Sequence, residues 1–247
     1  MSTARHLERY DWSPRSPVDA QVWPYTIPAV RQLMDSGGFE VAPGVTVLIG
    51  ENGSGKSTLI EAFAAAYPRT GAETSVGPSI IGPATSHEDS PLHWSLRARR
   101  HRLAAPGGFF LRAESMHGYL SQVDADTDGR RAWGGETLQA RSHGESFLAV
   151  LRHRFNDRGV YFLDEPESAL SFQSCLALLS VLDAIRQEGS QVIMATHSPI
   201  LAALPGASIV ELGDWGMRAA AWAELDLVAS WRDFLNAPQR WLRHLVD

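Results

Sequence analysis

Residues 50 to 58 read Gly50-Glu51-Asn52-Gly53-Ser54-Gly55-Lys56-Ser57-Thr58, a complete G-x-x-x-x-G-K-S loop, and the chemistry such a loop can do is to hold the phosphates of a nucleotide. Several backbone N–H groups must converge on phosphate oxygens at the positive end of a helix, which asks for glycine's freedom at Gly50, Gly53 and Gly55. Lys56 brings a point charge to the β- and γ-phosphates, and Ser57, beside Thr58, a hydroxyl to Mg²⁺. The elements that must position these groups are present. Val45, Val47, Leu48 and Ile49 form an apolar run before the loop, and Leu59, Ile60, Ala62 and Phe63 recur at helical spacing after it. A glycine-rich turn between strand and helix can be purely structural; Lys56 and Ser57 in register turn the balance to nucleotide binding.

A second half of the site is written downstream. Val160-Tyr161-Phe162-Leu163 is an apolar run ending in Asp164-Glu165, the form of a buried parallel strand that delivers carboxylates to phosphates. Asp164 is placed to hold Mg²⁺, directly or through water, and Glu165, turned out of the strand, to polarise an attacking water. Val192-Ile193-Met194-Ala195-Thr196 is another strand, ending in His197-Ser198-Pro199. A histidine there, 33 residues after Asp164, can donate to the γ-phosphate, or it can simply cap the strand. Glu165, His197 and Lys56 are therefore the expected catalytic groups. Between loop and carboxylates, Ser142-His143-Gly144-Glu145 opens an amphipathic run through Leu148, Val150, Leu151 and Phe155. Ser142 and Glu145 match a capping box, and the same geometry offers Ser142, the backbone N–H groups and the helix dipole as a second anion site that the chain's own phosphate loop need not use. A composite site between two chains is the expectation.

Together, Gly50 to Thr58, Ser142 to Glu145, Leu163-Asp164-Glu165-Pro166-Glu167-Ser168-Ala169-Leu170-Ser171 and Thr196-His197-Ser198 resemble the Walker A, signature, Walker B with D-loop, and H-loop motifs of ABC-type ATPases. The 22-residue interval from Ser142 to Asp164 is similar to that family's as well. Within the superfamily the chain resembles the small AAA/ABC-like ATPases related to SMC and RecF proteins over nearly residues 20 to 245, including the tail Trp231-Arg232-Asp233-Phe234-Leu235-Asn236-Ala237-Pro238. The resemblance implies ATP as the nucleotide and Mg²⁺ as its metal. It also implies an ATP sandwich, in which two copies pack head to tail and Ser142 and Gly144 of one complete the γ-phosphate site of the other. Departures accompany the matches. The signature reads Ser-His-Gly-Glu where transporters usually carry Ser-Gly-Gly-Gln, and Glu145 is expected to turn back toward the helix start. Glu114 stands after the strand Phe109-Phe110-Leu111-Arg112, where the family usually has Gln; it is either a Mg²⁺ ligand or a plain surface acid. Ser171 replaces the usual last Asp of the D-loop.

The 247 residues, 44% hydrophobic with a net charge of −6, suit a single domain over 1–247 and argue against a wholly basic nucleic-acid coat. No stretch approaches the ~18 apolar residues of a spanning helix, and Met1 to Pro17 has no apolar h-region, so a cytoplasmic protein is expected. Lone Cys175, among Leu176, Leu178 and Leu179, reads as a buried helix position. Residues 70–91, rich in Gly, Pro, Ser and Thr, read as a flexible excursion, and about 214–247 as a C-terminal helical tail. The 28 residues from Glu114 to Ser142 leave no room for a long coiled coil. Asp124-x-Asp126-x-Asp128-Gly129 imitates a calcium loop but has Gly135 at its twelfth position, and it reads as a polar surface loop. Trp94, Leu96 and Ala98 alternate with Arg97, Arg99 and His101, which is either a strand with one solvated face or a surface for an anionic partner. Trp23 and Tyr25 are either core aromatics or a stack for adenine.

The expected fold is α/β: a P-loop NTPase with a mainly parallel sheet carrying the phosphate loop and the Asp164 strand, and an antiparallel β portion near the N-terminal third. The expected activity is Mg-dependent ATP hydrolysis by a homodimer that acts on an unidentified protein or nucleic-acid partner. Alternatives are a nucleotide-gated switch with little turnover, a transporter subunit, and a DNA-associated RecF-like ATPase.

Overall fold

Strands β3 (Val45–Gly50), β6 (Gly159–Asp164) and β7 (Gln191–Thr196) are buried along almost their whole length, as continuous apolar runs must be when both faces of a sheet are covered. They lie side by side in a six-stranded sheet of order β5-β6-β7-β3-β8-β9, with β5 Gly107–Arg112, β8 Ser208–Gly213 and β9 Gly216–Ala219. Every neighbouring pair is parallel except β8 with β9. The computed structural model describes residues 5–67, 90–105, 107–113, 143–155 and 158–243. The excursion at 70–91, apart from Ser90 and Pro91, and the acidic loop at 124–129 lie outside the described residues.

Alternation along the strands sorts side chains between two cores. Val45, Val47, Ile49, Tyr161, Leu163, Val192 and Met194 face one side. There they pack on α3 (His143–Arg154) through Phe147 and Leu151, and on α4 (Phe172–Gln187) through Leu178 and Leu182. Cys175 of α4 is buried in this core, where burial raises its thiol pKa, as its leucine neighbours imply. Leu48, Val160, Phe162, Ile193 and Ala195 face the other side, against Leu59, Ile60 and Phe63 of α2 (Lys56–Ala66) and against α1 (Pro28–Asp35).

Above α2 sits the antiparallel portion, a three-stranded sheet of order β2-β1-β4, with β1 Leu7–Trp12, β2 Gly38–Glu40 and β4 Leu96–Arg100. Buried contacts fasten it. The Tyr10 ring stacks on Phe63 at 4.5 Å, and its hydroxyl donates to the Phe63 carbonyl at 2.6 Å. Gln191, fully buried at the start of β7, accepts from the His6 and Leu7 N–H groups and donates to the Leu7 and Ala42 carbonyls, so its amide is satisfied at both ends.

The expected C-terminal helical tail at about 214–247 opens on a strand before its helices. Asp214-Trp215 turns the chain into β9, which extends the sheet edge, and after a short 3-10 turn at Trp222–Glu224 come the α-helices α5 (Asp226–Asn236) and α6 (Pro238–Leu242). The turn is made possible by Gly216 at φ 96°. Strand β4 carries Arg97 and Arg99 exposed, the solvated-face pattern, and Arg99 pairs with Asp11 of β1 at 3.0 Å.

Candidate active site

The phosphate loop leaves the carboxyl end of β3, Glu165 follows that of β6, and His197 follows that of β7, the strand lying between the other two. Adjacent parallel strands thus deliver all three to one crevice outside the sheet. A cleft of about 280 Å³ opens there, lined by Asn52, Gly53, Gly55, Lys56, Ser57 and Thr58 of the loop, by Glu165 and His197, and by Trp23 and Ile27.

Two of the three loop glycines are required by backbone conformation and the third by space. Gly53 and Gly55 have φ of 80° and 96°, and Gly55 is the N-cap of α2, where a side chain would also meet Ile27. Gly50 has no left-handed φ, which corrects the expectation that it supplies backbone freedom. A Cβ on it would lie 2.3 Å from the Leu212 carbonyl oxygen of β8, so the strand pair closes only on glycine. Lys56 is buried, its Nζ donating to the Glu51 carbonyl at 2.8 Å. Burial lowers its pKa against the pull of Glu165, Asp164, Glu167 and Glu51. The Ser54 N–H also turns in to the Glu51 carbonyl, at 3.3 Å, which closes the loop on itself.

Asp164 is 3% exposed. One carboxylate oxygen, Oδ2, accepts from Arg112 Nε at 3.1 Å, while Oδ1 is buried without a hydrogen-bond partner. Burial raises its pKa, and the Arg112 guanidinium and the Ser57 hydroxyl hold it back. An orphaned buried carboxylate oxygen on a group that the Ser57 hydroxyl also reaches is the oxygen-rich environment a hard cation takes. The residues present therefore fit Mg²⁺, with Ser57 and Asp164 as its protein groups.

Glu165 is the one described non-glycine residue with positive φ, at 46°. Its N–H donates to the Ala195 carbonyl of β7 at 2.9 Å, and this kinked backbone throws its side chain out of the strand. The side chain reaches Oε1 to His197 Nε2 at 3.1 Å. Glu167, two residues on, accepts the His197 backbone N–H and ties the turn after β6 to the end of β7. Burial raises the Glu167 pKa, ahead of the hydrogen bonds from His197 and Thr196 that lower it.

The loop residues, Glu165 and His197 are thus brought together around one cleft. Gly144 lies in the first turn of α3 and does not line it. Ser142 and Glu114 lie outside the described residues. Ser171 caps α4, accepting the Ser174 N–H at 3.2 Å. Of the two upstream aromatics, Tyr25 is core, edge-on to Trp12, whereas Trp23 is 53% exposed at the rim of the cleft. Arg112, Glu61 and Glu167 were not singled out from sequence. An arginine at the carboxyl end of a parallel strand, and an acid at i+4 from Ser57, are the signals that mark the first two.

Comparison with known proteins agrees with this geometry. Residues 27–78 match a family model described as "AAA domain", and residues 142–203 one described as "AAA domain, putative AbiEii toxin, Type IV TA system". The ribose import ATP-binding protein RbsA 1 of Rhizobium meliloti (strain 1021) is 28% identical over 196 residues, covering 70% of this chain and 37% of that protein. The arabinose import ATP-binding protein AraG of Ralstonia nicotianae (strain ATCC BAA-1114 / GMI1000) is 29% identical over 189 residues, covering 69% of this chain and 36% of that one. The chain thus spans little more than a third of the length of these relatives. A solved SMC head domain from Thermotoga maritima aligns over 87% of this chain and 98% of its own, at 16% identity and a TM-score of 0.46, too distant to bear on mechanism. With a phosphate loop, an Asp-Glu strand end and a histidine strand end meeting at one cleft, and with matches to ATP-binding import proteins over two thirds of its length, the chain is similar to ABC-type ATP-binding proteins.

Proposed function

We propose that this chain binds Mg-ATP in the cleft and hydrolyses it, with the complete site assembled between two copies. The observation that carries the reading is the meeting of Glu165 and His197, from different strands, 3.1 Å apart in the cleft lined by Lys56 and Ser57. The loop N–H groups and Lys56 bind the β- and γ-phosphates, Lys56 exchanging the Glu51 carbonyl for phosphate oxygen. Ser57 and Asp164 Oδ1 would hold Mg²⁺, which when bound neutralises charge on the β- and γ-oxygens. Glu165 accepts a proton of the attacking water, for which it must leave His197, and His197 then donates to the γ-phosphate. Trp23 lies against the base. Ser142 and Gly144 of a second copy complete the γ-phosphate site in trans, and the work of the cycle is done in the cytoplasm on a protein or nucleic-acid partner.

The test is phosphate release from Mg-ATP per chain across a wide range of protein concentration, with Glu165→Gln as the blank. A specific rate that rises with concentration and vanishes in the variant supports a shared site. A rate that never exceeds the blank points to a nucleotide-gated switch. A second reading, a transporter ATPase, is favoured by the import proteins among the relatives. No helix among the described residues is long and apolar enough to cross a membrane; recovery of the chain with membranes would favour this reading.

A further inference from the structure

Arg112 ends β5 directly opposite Asp164 on β6. Phe110 and Phe162, two residues earlier on each strand, pack in the core on the α2 side of the sheet, so alternation sends Arg112 and Asp164 to that same side. From α2, Ser57 and Glu61 stand one turn apart on one helix face. The Arg112 guanidinium spans the gap. Its Nε donates to Asp164 Oδ2 at 3.1 Å, and a terminal nitrogen ion-pairs with Glu61. Asp164 Oδ1 is left buried and unpartnered.

We propose that Arg112 is a positioning residue for the metal: it clamps Oδ2 of Asp164 so that Oδ1 is presented beside Ser57, with Glu61 fixing the guanidinium from α2. This rests on the reading of Asp164 and Ser57 as the groups that hold Mg²⁺. The physical reason is geometric. An aspartate carboxylate turns freely about its last bond, and a planar, always-charged fork tied to a helix removes that freedom, which a lysine point charge cannot do for two carboxylates at once. Groups that orient a metal ligand from behind tune metal affinity by about 10–100-fold. The opposite role, a counter-ion that competes with the metal for Asp164, makes the opposite prediction.

The experiment measures Mn²⁺ binding to the full chain in the presence of ADP, by the electron paramagnetic resonance of free Mn²⁺, and ADP binding in EDTA alongside. Arg112→Gln is expected to weaken Mn²⁺ by about 10-fold or more while ADP affinity in EDTA keeps its wild-type value. Arg112→Lys falls between, and adding Glu61→Gln to Arg112→Gln weakens Mn²⁺ no further, because the two act as one unit. Unchanged or tighter Mn²⁺ binding in Arg112→Gln overturns the inference. Should that variant not fold, Arg112→Lys carries the test, and wild-type Mn²⁺ affinity in it overturns the inference equally. Asp164→Asn separates the two levels. If it leaves Mn²⁺ binding intact, the metal reading itself falls; if it weakens binding and Arg112→Gln does not, only the role of Arg112 falls.

Discussion

Nε2 of His197 lies 3.1 Å from Oε1 of Glu165, a contact made between the ends of two neighbouring strands while Glu165 holds φ at 46°. On the proposed mechanism each of these groups must leave the other to act, Glu165 on the water and His197 on the γ-phosphate. Glu165→Gln keeps the shape and a hydrogen-bonding oxygen but cannot take a proton. It is expected to lower phosphate release by about 100-fold or more while nucleotide affinity is retained. Retained turnover would move the proton acceptor elsewhere.

The left-handed backbone at Glu165 costs about 1 kcal/mol or more for a side-chain-bearing residue, and on the proposed mechanism this kink aims the carboxylate at the water. Glu165→Gly is therefore expected to be inactive with a melting temperature no lower than wild type, and Glu165→Val inactive with a lower one. Thermal unfolding by circular dichroism reads both. Equal losses in the two variants would show that the side chain, and not the backbone, supports the turn.

Gly50 is held by space between β3 and β8, with the Leu212 carbonyl 2.3 Å from where a Cβ would stand. Gly50→Ala is expected to cost about 1–3 kcal/mol in urea unfolding, as overpacking does, and to weaken nucleotide binding because the loop starts from a displaced strand. A stable variant with wild-type binding would mean that the strand pair shifts at no cost.

Trp23 stands half exposed at the cleft rim while Tyr25 is committed to the core. Stacking of a base on an aromatic face is worth about 1–3 kcal/mol and is tolerant of which base it is. Trp23→Ala should weaken ATP and GTP alike by about fivefold or more, and Trp23→Phe should restore most of it. Loss for one nucleotide alone, in equilibrium titrations, would contradict a stacking role.

Burial raises the Glu167 carboxyl above its ordinary value of 4.5, outweighing the hydrogen bonds from His197 and Thr196. The folded chain then binds more protons at this group than the unfolded chain does between the two pKa values. Its contribution to stability is thus fully present below the unfolded value and is lost as pH rises through the folded one. Glu167→Gln stays neutral and escapes the loss, so its melting temperature relative to wild type should climb as pH rises above 4.5. A flat difference would show burial and partners to cancel, and a falling one would show the carboxylate to be stabilised by its partners.

The phosphate loop was legible because its function is local: nine consecutive residues, with glycine where the chain must turn left-handed and an apolar strand before it. Asp164, Glu165 and His197 were legible for a related reason, since each follows directly on a buried apolar run whose end must face the crevice. Spacing alone could not say which strands are neighbours. The order β5-β6-β7-β3-β8-β9 sets Arg112 beside Asp164, seats Glu165 against His197, and brings Leu212 hard against Gly50. It likewise took the packing of the small sheet on α2 to separate Trp23, at the cleft, from Tyr25, two residues away in the core. The residue types needed for phosphate chemistry are thus determined by sequence, because backbone conformation responds to near neighbours. The partners of Asp164, Arg112, Glu165 and His197 are decided only by tertiary structure, because these groups pair across elements that the linear order leaves far apart.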